Sequence, residues 1–352
     1  MAHHERVTIP PAAAPTPVPY PAPAAPPAPP APPKLPKLPR DAIEGGLAFH
    51  RLIFARRRNG WWTPLAVGAL GIVFYLVMLV VVLVFMIIAA MGDPTFLDRM
   101  LVLTENPSFD LGDPVMLVFL LATIVLMLPA YWLASLIVNG KRVGLISSAA
   151  GRLRWRWMLL CTGIAIVVSA VLTGVSFLVP GASGDAGDGG ANPLWWVSLI
   201  IILLLVPLQS AAEEYVFRGY LMQAIGRWLR HPAFAILLPV PLFVMGHLYD
   251  LLGQLSVGLF AVAAGWLTWR TGGLESAIAL HVVNNVTGFL LSLGAGSDPT
   301  ESSTGWVSFL WSFLLIGGYV ALVEWVLHRR AARGRALPRT LVLTPPVAAP
   351  LV

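Results

Sequence analysis

The chain has 352 residues, 57% of them hydrophobic and only 11% charged, against about 25% charged in an ordinary soluble domain, which excludes a water-soluble globular fold. Its net charge of +6 is scattered through short loops and tails, where the bias of Lys and Arg to one side of a membrane accounts for it. Membrane lipids, and no nucleic acid, are therefore the expected partners, and the lone Cys161 has no partner for an internal disulfide.

Residues 8 to 39 are dominated by Pro and Ala, a composition that favours extended polyproline conformations and cannot build a packed core. A disordered cytoplasmic tail is expected over residues 1–50. No cleavable signal peptide is expected, because the first apolar segment starts only near Trp61. From there the chain contains apolar runs of roughly 20 residues, long enough to cross a hydrocarbon layer about 30 Å thick. They predict eight spans: 64–91, 114–138, 157–179, 194–222, 233–249, 251–269, 274–293 and 306–327. The fold class is thus an all-α, polytopic bundle of about eight transmembrane helices over residues 51–330, with a C-terminal tail over 331–352. The fourth run is too long for a simple crossing, so residues 226–230 are expected to run along the membrane surface as an amphipathic extension, with Pro207 as a bend. Trp61, Trp62, Trp195, Trp196 and Trp306 fall at span ends, as an aromatic belt requires.

Charges test this count independently. Arg51 and Arg56 to Arg58 precede the first span, Lys141, Arg142, Arg152, Arg154 and Arg156 separate the second from the third, Arg227 and Arg230 follow the fourth, Arg270 the sixth, and Arg329 to Arg339 the eighth. The alternate loops carry Asp93, Asp98, Glu105, Asp110, Asp185, Asp188, Asp298 and Glu301, with Arg99 as the basic exception. A multi-pass protein of the cell membrane with both termini cytoplasmic is the expectation. Glu324 is read as an interfacial charge near His328 and Arg329, and Asp250 and Glu275 as turn residues.

Ionisable residues inside membrane helices cost about 2.5 to 3.5 kcal/mol each on insertion scales, so they face the bundle interior and serve a purpose there. The fourth span ends with Glu213, Glu214 and Arg218. Glu214 and Arg218, one turn apart, can pair along the helix, which leaves Glu213, about 100° round it, free for other work. The fifth span holds Phe243 and His247, and the seventh holds His281, Asn284 and Asn285. His281 and Asn285 project from one face. Two carboxylates, two histidines and an asparagine on three helices are the parts needed to activate a water and stabilise an oxyanion.

Glu213-Glu214-x-x-x-Arg218, Phe243-x-x-x-His247 and His281-x-x-x-Asn285, in that order on successive spans, resemble the three-motif signature of the CAAX-processing and bacteriocin-processing family of intramembrane proteases (CPBP or Abi), which includes the type II CAAX prenyl endopeptidases. The resemblance covers about residues 194–293. It implies a membrane-embedded cavity open to the cytoplasm and hydrolysis of a peptide bond near the C-terminus of a membrane-associated or lipid-modified protein or peptide. Position for position, Glu213 would activate water with His247, and His281 and Asn285 would stabilise the oxyanion. Glu214 and Arg218 would hold the first glutamate, and Phe243 would pack in the site.

Two cofactor readings stay open, zinc and none. Glu213, His247 and His281 would supply a His₂Glu set, but they leave a second glutamate or a water to act as base, and no zincin-type H-E-x-x-H helix is present. Two other functions compete with a peptidase. One is a catalytically silent scaffold or bacteriocin-immunity factor, which has no need of both glutamates and both histidines; the other is a secondary transporter, for which the two halves show no matching repeat.

Overall fold

The computed structural model describes residues 38–105, 111–178, 193–296 and 305–343. The Pro/Ala-rich segment up to residue 37, the Gly-rich stretch 181–190, and Asp110, Asp185, Asp188, Asp298 and Glu301 lie outside the described residues.

The described chain is an all-α bundle. Seven helices are long and apolar enough to cross a membrane: α1 (Thr63–Gly92), α2 (Pro114–Asn139), α3 (Trp155–Ser176), α4 (Trp195–Trp228), α6 (Leu251–Thr271), α7 (Glu275–Ala295) and α8 (Trp306–Ala332). Between α4 and α6 lies the shorter α5 (Pro232–Met245). Large apolar side chains such as Leu76, Val80, Phe85 and Ile88 of α1 point outward, as a helix apolar on every side does when lipid replaces water around it. The starts carry expected signals. Asp113 accepts from the amides of Val115 and Met116, with Pro114 at the first helical position. Asp250 caps α6 through the Gly253 amide at 2.8 Å, and Trp61, Trp62, Trp195, Trp196 and Trp306 at span ends are exposed.

The fifth span departs from a straight crossing. It consists of two six-residue pieces, Pro232–Leu237 and Val240–Met245, about 21 Å in all at 1.5 Å per residue, and so falls short of a 30 Å layer. Pro239 and Pro241 sit at the break and in the first turn of the second piece, where missing N–H groups and ring clashes end the first piece. α5 nevertheless runs antiparallel to α6, since Ile236 lies against Gly265 and Val244 against Gly258.

Arginines meet at one end of the bundle. Arg154, at the start of α3, bonds Glu275, at the start of α7, with Nη2 to Oε2 at 2.6 Å and Nε to Oε1 at 2.8 Å, and Glu275 is fully buried. Arg51 reaches the Gly226 carbonyl at 2.8 Å, Arg227 the Asn59 carbonyl at 2.6 Å, and Arg142 the Ala55 carbonyl. Glu324 pairs with Arg270 of α6 at 2.9 Å and approaches His328 at 3.6 Å, so its main partner is a neighbouring helix rather than Arg329. Arg99, the basic exception in its loop, is neutralised by Asp93 and Asp113, both at 2.9 Å.

Two expectations are corrected at this end. Residues 226–230 do not form a separate element: α4 continues to Trp228 with Met222, Gln223, Ala224 and Gly226 buried, and Gly226 sits so close to the His50 carbonyl that a Cβ would not fit. The tail boundaries also move inward. Ala42, Leu47, Phe49 and Leu52 are fully buried, and strand β1 (Leu47–Ala48) pairs antiparallel with β2 (Thr340–Leu341). Parts of the expected tails, 1–50 and 331–352, are thus folded onto the bundle and onto each other. The pairing brings both chain-terminal segments to the arginine-rich end. Gly272, at φ +73° after α6 and pressed against the Arg339 backbone, allows the returning C-terminal segment to cross there.

Two predictions follow from these anchors. Arg154→Met should destabilise the detergent-solubilised protein by about 3–5 kcal/mol, because it strands a buried carboxylate; adding Glu275→Gln should recover most of the loss in a chemical denaturation series. The second concerns His50, whose ring bonds the Arg230 carbonyl through Nε2 at 2.9 Å. Burial holds this ring below the ordinary value of 6.5, opposed by that hydrogen bond. The unfolded chain therefore takes up the proton more readily, so the stability contributed by neutral His50 is full above 6.5 and is lost as pH falls through the lower folded value. The thermal midpoint should drop on acidification below about pH 6.5, and His50→Gln, which keeps a donor for Arg230, should flatten that drop.

Candidate active site

The site begins with a change of helical pitch. α4 is regular through Glu214, and residues Tyr215–Leu221 then form a π-helical stretch, a widened i→i+5 turn of the kind that gathers at functional sites. Glu214 and Arg218 flank its start. Arg218 Nη1 donates to Glu214 Oε1 at 2.8 Å, so the pairing expected from their spacing is present, and Nη2 donates to the Ala261 carbonyl of α6 at 3.1 Å. The guanidinium lies 4.4 Å from the Phe243 ring centroid and 5.6 Å from that of Phe260. Both Glu214 and Arg218 are buried.

His281 of α7 completes the cluster. Its Nδ1 lies 2.8 Å from Glu214 Oε1 and its Nε2 3.7 Å from Glu213 Oε2. A carboxylate can only accept, so the Nδ1–H donates to Glu214 and Nε2 is turned toward Glu213. The 3.7 Å separation is longer than a direct hydrogen bond and suits a shared water beside both atoms. Glu213 Oε2 has no hydrogen-bond partner among the described residues.

His247 follows the end of α5. Its Nδ1 bonds the Phe243 carbonyl at 2.8 Å; the carbonyl accepts, so Nδ1 carries the proton and Nε2 keeps its lone pair. The His247 ring packs 4.8 Å from the Phe243 ring, which lies 6.1 Å from that of His281. Phe243 thus sits between the two imidazoles. The imidazole that faces Glu213 is that of His281, at 3.7 Å, whereas the expected pairing was with His247. Asn285 donates through Nδ2 to Gln209 Oε1 at 3.3 Å.

Straight helices would have put Glu213 and His247 at opposite depths. α4 runs on to Trp228, and the truncated α5 leaves His247 beside Phe243, whose ring lies 6.1 Å from that of His281. On the α5 side the site borders a crevice lined by Phe217, Arg218, Val240, Phe243 and Ala261. It is too narrow for a water molecule.

Three contributors escaped the sequence reading. Gln209 donates to Glu213 Oε1, Phe260 packs on His281 with ring centroids 4.8 Å apart, and the Ala261 carbonyl holds Arg218. Only Gln209 had a legible signal, its i, i+4 spacing to Glu213; a backbone carbonyl has none.

A three-ligand zinc set does not assemble here. Among the described residues no group of three or more His, Cys, Asp or Glu side chains is disposed to hold a metal ion. His281 and His247 donate through Nδ1 to Glu214 and to the Phe243 carbonyl, and their rings lie on either side of the Phe243 ring. The donor set therefore does not fit a His₂Glu site in this arrangement.

Comparison with known proteins gives matches over the stretch that carries these residues. Residues 192–287 match the family model described as type II CAAX prenyl endopeptidase Rce1-like. The uncharacterized protein YyaK of Bacillus subtilis (strain 168) is 26% identical over 198 residues, a match that covers 53% of this chain and 66% of that relative, just under two thirds of its length. No solved structure matches the chain. All three motifs lie inside the matched stretch, over which the chain is similar to Rce1-like proteins.

Proposed function

We propose that this protein is an intramembrane endopeptidase that cleaves a peptide bond of a membrane-associated or lipid-modified protein or peptide, with Glu213 as the base that activates water. The observation that carries the reading is the pair of Glu213 and His281: a buried carboxylate oxygen with no protein partner, 3.7 Å from an imidazole nitrogen, inside an Rce1-like segment. The arginine-rich end of the bundle would face the cytoplasm of the cell membrane, with both chain termini on that side.

In this reading Glu213 Oε2 takes a proton from a water whose oxygen attacks the scissile carbonyl carbon. His247, with its Nε2 lone pair available, assists in holding that water. With both carboxylates ionised and Arg218 charged, a protonated His281 brings the buried group to zero net charge. Its Nε2–H and the second N–H of Asn285 then serve as donors to the carbonyl oxygen as it becomes an oxyanion. Glu213 returns its proton to the leaving amine as the C–N bond breaks. Glu214 stays bonded to Arg218 and His281 throughout, so it positions without exchanging protons. Because the donor set does not form a three-ligand site, no step runs through a metal.

The test is cleavage of a fluorogenic membrane-peptide library by detergent-purified protein. Wild type should cleave, and should do so equally with a chelator present. Glu213→Gln and His247→Ala should each lose about 10²-fold or more in kcat/KM with their melting midpoints near wild type. Glu214→Gln should behave differently: it weakens the buried Arg218 pair and should cost stability as well as activity, by up to about 3–5 kcal/mol. Cleavage indifferent to Glu213 would sink the peptidase assignment, and loss of cleavage with the chelator alone would replace the metal-free mechanism.

A further inference from the structure

Gln209 lies one helical turn before Glu213 on α4 and is only 6% exposed. Its amide nitrogen donates to Glu213 Oε1. Its oxygen accepts from Asn285 Nδ2 and from the Ser210 hydroxyl, both at 3.3 Å. Asn285 Oδ1 in turn accepts from Asn284 Nδ2 at 3.1 Å. The direction of this chain is dictated at its far end. An ionised carboxylate has only acceptors, so Gln209 must turn its NH₂ toward Glu213; that leaves its oxygen for Asn285, which must turn its own NH₂ toward Gln209. Reversing one amide would set donor against donor or acceptor against acceptor.

We propose that Gln209 is the positioning residue of Glu213, clamping Oε1 so that Oε2 alone is presented to His281 and to the attacking water. The inference rests on the reading of Glu213 as base. Gln209 touches no reacting atom and acts through the carboxylate it holds. The amides of Asn284, Asn285 and Gln209 are aligned donor to acceptor along the whole chain, an arrangement in which each bond polarises the next. The same chain joins the third motif to the first: Asn285 spends one N–H on Gln209 and keeps the other for the substrate. A misplaced carboxylate is costly even when chemistry is otherwise intact, since a shift of about 1 Å is worth on the order of 10²-fold in rate.

Gln209→Glu and Gln209→Leu separate this role from packing. A protonated glutamic acid at 209 reproduces the amide, its O–H donating to Glu213 Oε1 and its carbonyl accepting from Asn285; once ionised it repels Glu213. In full-length, detergent-purified protein, Gln209→Leu should lower kcat by about 10²-fold at every pH, with KM within about twofold. Gln209→Glu should recover much of kcat under acid conditions and lose it as pH rises, a profile shared by neither wild type nor Gln209→Leu. An infrared titration provides a readout independent of cleavage. The carboxylic acid band of Glu213, assigned by its loss in Glu213→Gln, should appear at higher pH in Gln209→Leu than in wild type, because the ionised form has lost a donor. Unchanged kcat in Gln209→Leu, or a Gln209→Glu profile parallel to that of Gln209→Leu, overturns the proposal. Should wild type cleave nothing, the infrared result alone decides: a displaced band upholds the clamp while the peptidase reading falls, and coincident titrations overturn the clamp.

Discussion

The charges of the site can be buried because Glu214 is shared. A lone carboxylate among apolar helices would carry a large desolvation cost; here one oxygen of Glu214 accepts from Arg218 and from His281, both at 2.8 Å. Three elements meet through those two bonds and a third, since Arg218 also donates to the Ala261 carbonyl of α6 while His281 belongs to α7 and Glu214 to α4. Hydrogen bonds to charged groups are worth about 1.5 to 3 kcal/mol even after the exchange with water. In a bundle whose helices gain no hydrophobic drive from meeting each other in lipid, such contacts define which faces meet.

Two adjacent glutamates thereby acquire different chemistry without any difference in residue type. Glu214 is saturated on one oxygen by a cation and an imidazole, and the aromatic rings of Phe243 and Phe260 close over that cation. Glu213, the next residue round the helix, receives a neutral amide donor on one oxygen and faces His281 with the other. The π-helical stretch that starts at Tyr215 changes how the following turn is wound and lets Arg218 reach back to Glu214 while also contacting α6.

Most of the frame was legible in the sequence, because the physics that sets it is local. The all-α class, the seven long helices and their ends followed from apolar run length, flanking arginines and prolines, and the breaks at Pro239 and Pro241 were visible as such. The Glu214 and Arg218 pair followed from i, i+4 spacing. What was not legible depends on pitch and on backbone. A π-helical stretch has no residue signature, and neither has the packing of the broken α5 that sets His247 beside Phe243. Leu47 pairing with Leu341 joins segments at opposite ends of the chain, a contact no local pattern announces. The choice of His281 over His247 as the neighbour of Glu213 is of the same kind, since both histidines sit at equal spacing within their motifs and only packing around Phe243 tells them apart.

The depth of the site is set from the arginine-rich end. Glu275 opens α7 and is held by Arg154, so the two turns that separate Glu275 from His281 fix how far the imidazole reaches into the bundle. Arg51 holds the Gly226 carbonyl near the close of α4, which fixes the distance back to Glu213 and Glu214 in the same way. Both helices are thus indexed by a buried or nearly buried arginine at the same end, where water and backbone carbonyls make strong polar anchors affordable. Farther in, where lipid surrounds the bundle, alignment is completed by the Glu214 cluster and by the bond of Asn285 to Gln209. A shift of either anchor by one helical turn would move its helix by about 5.4 Å, enough to separate His281 from both carboxylates, so residues far from the chemistry determine whether the pair can form.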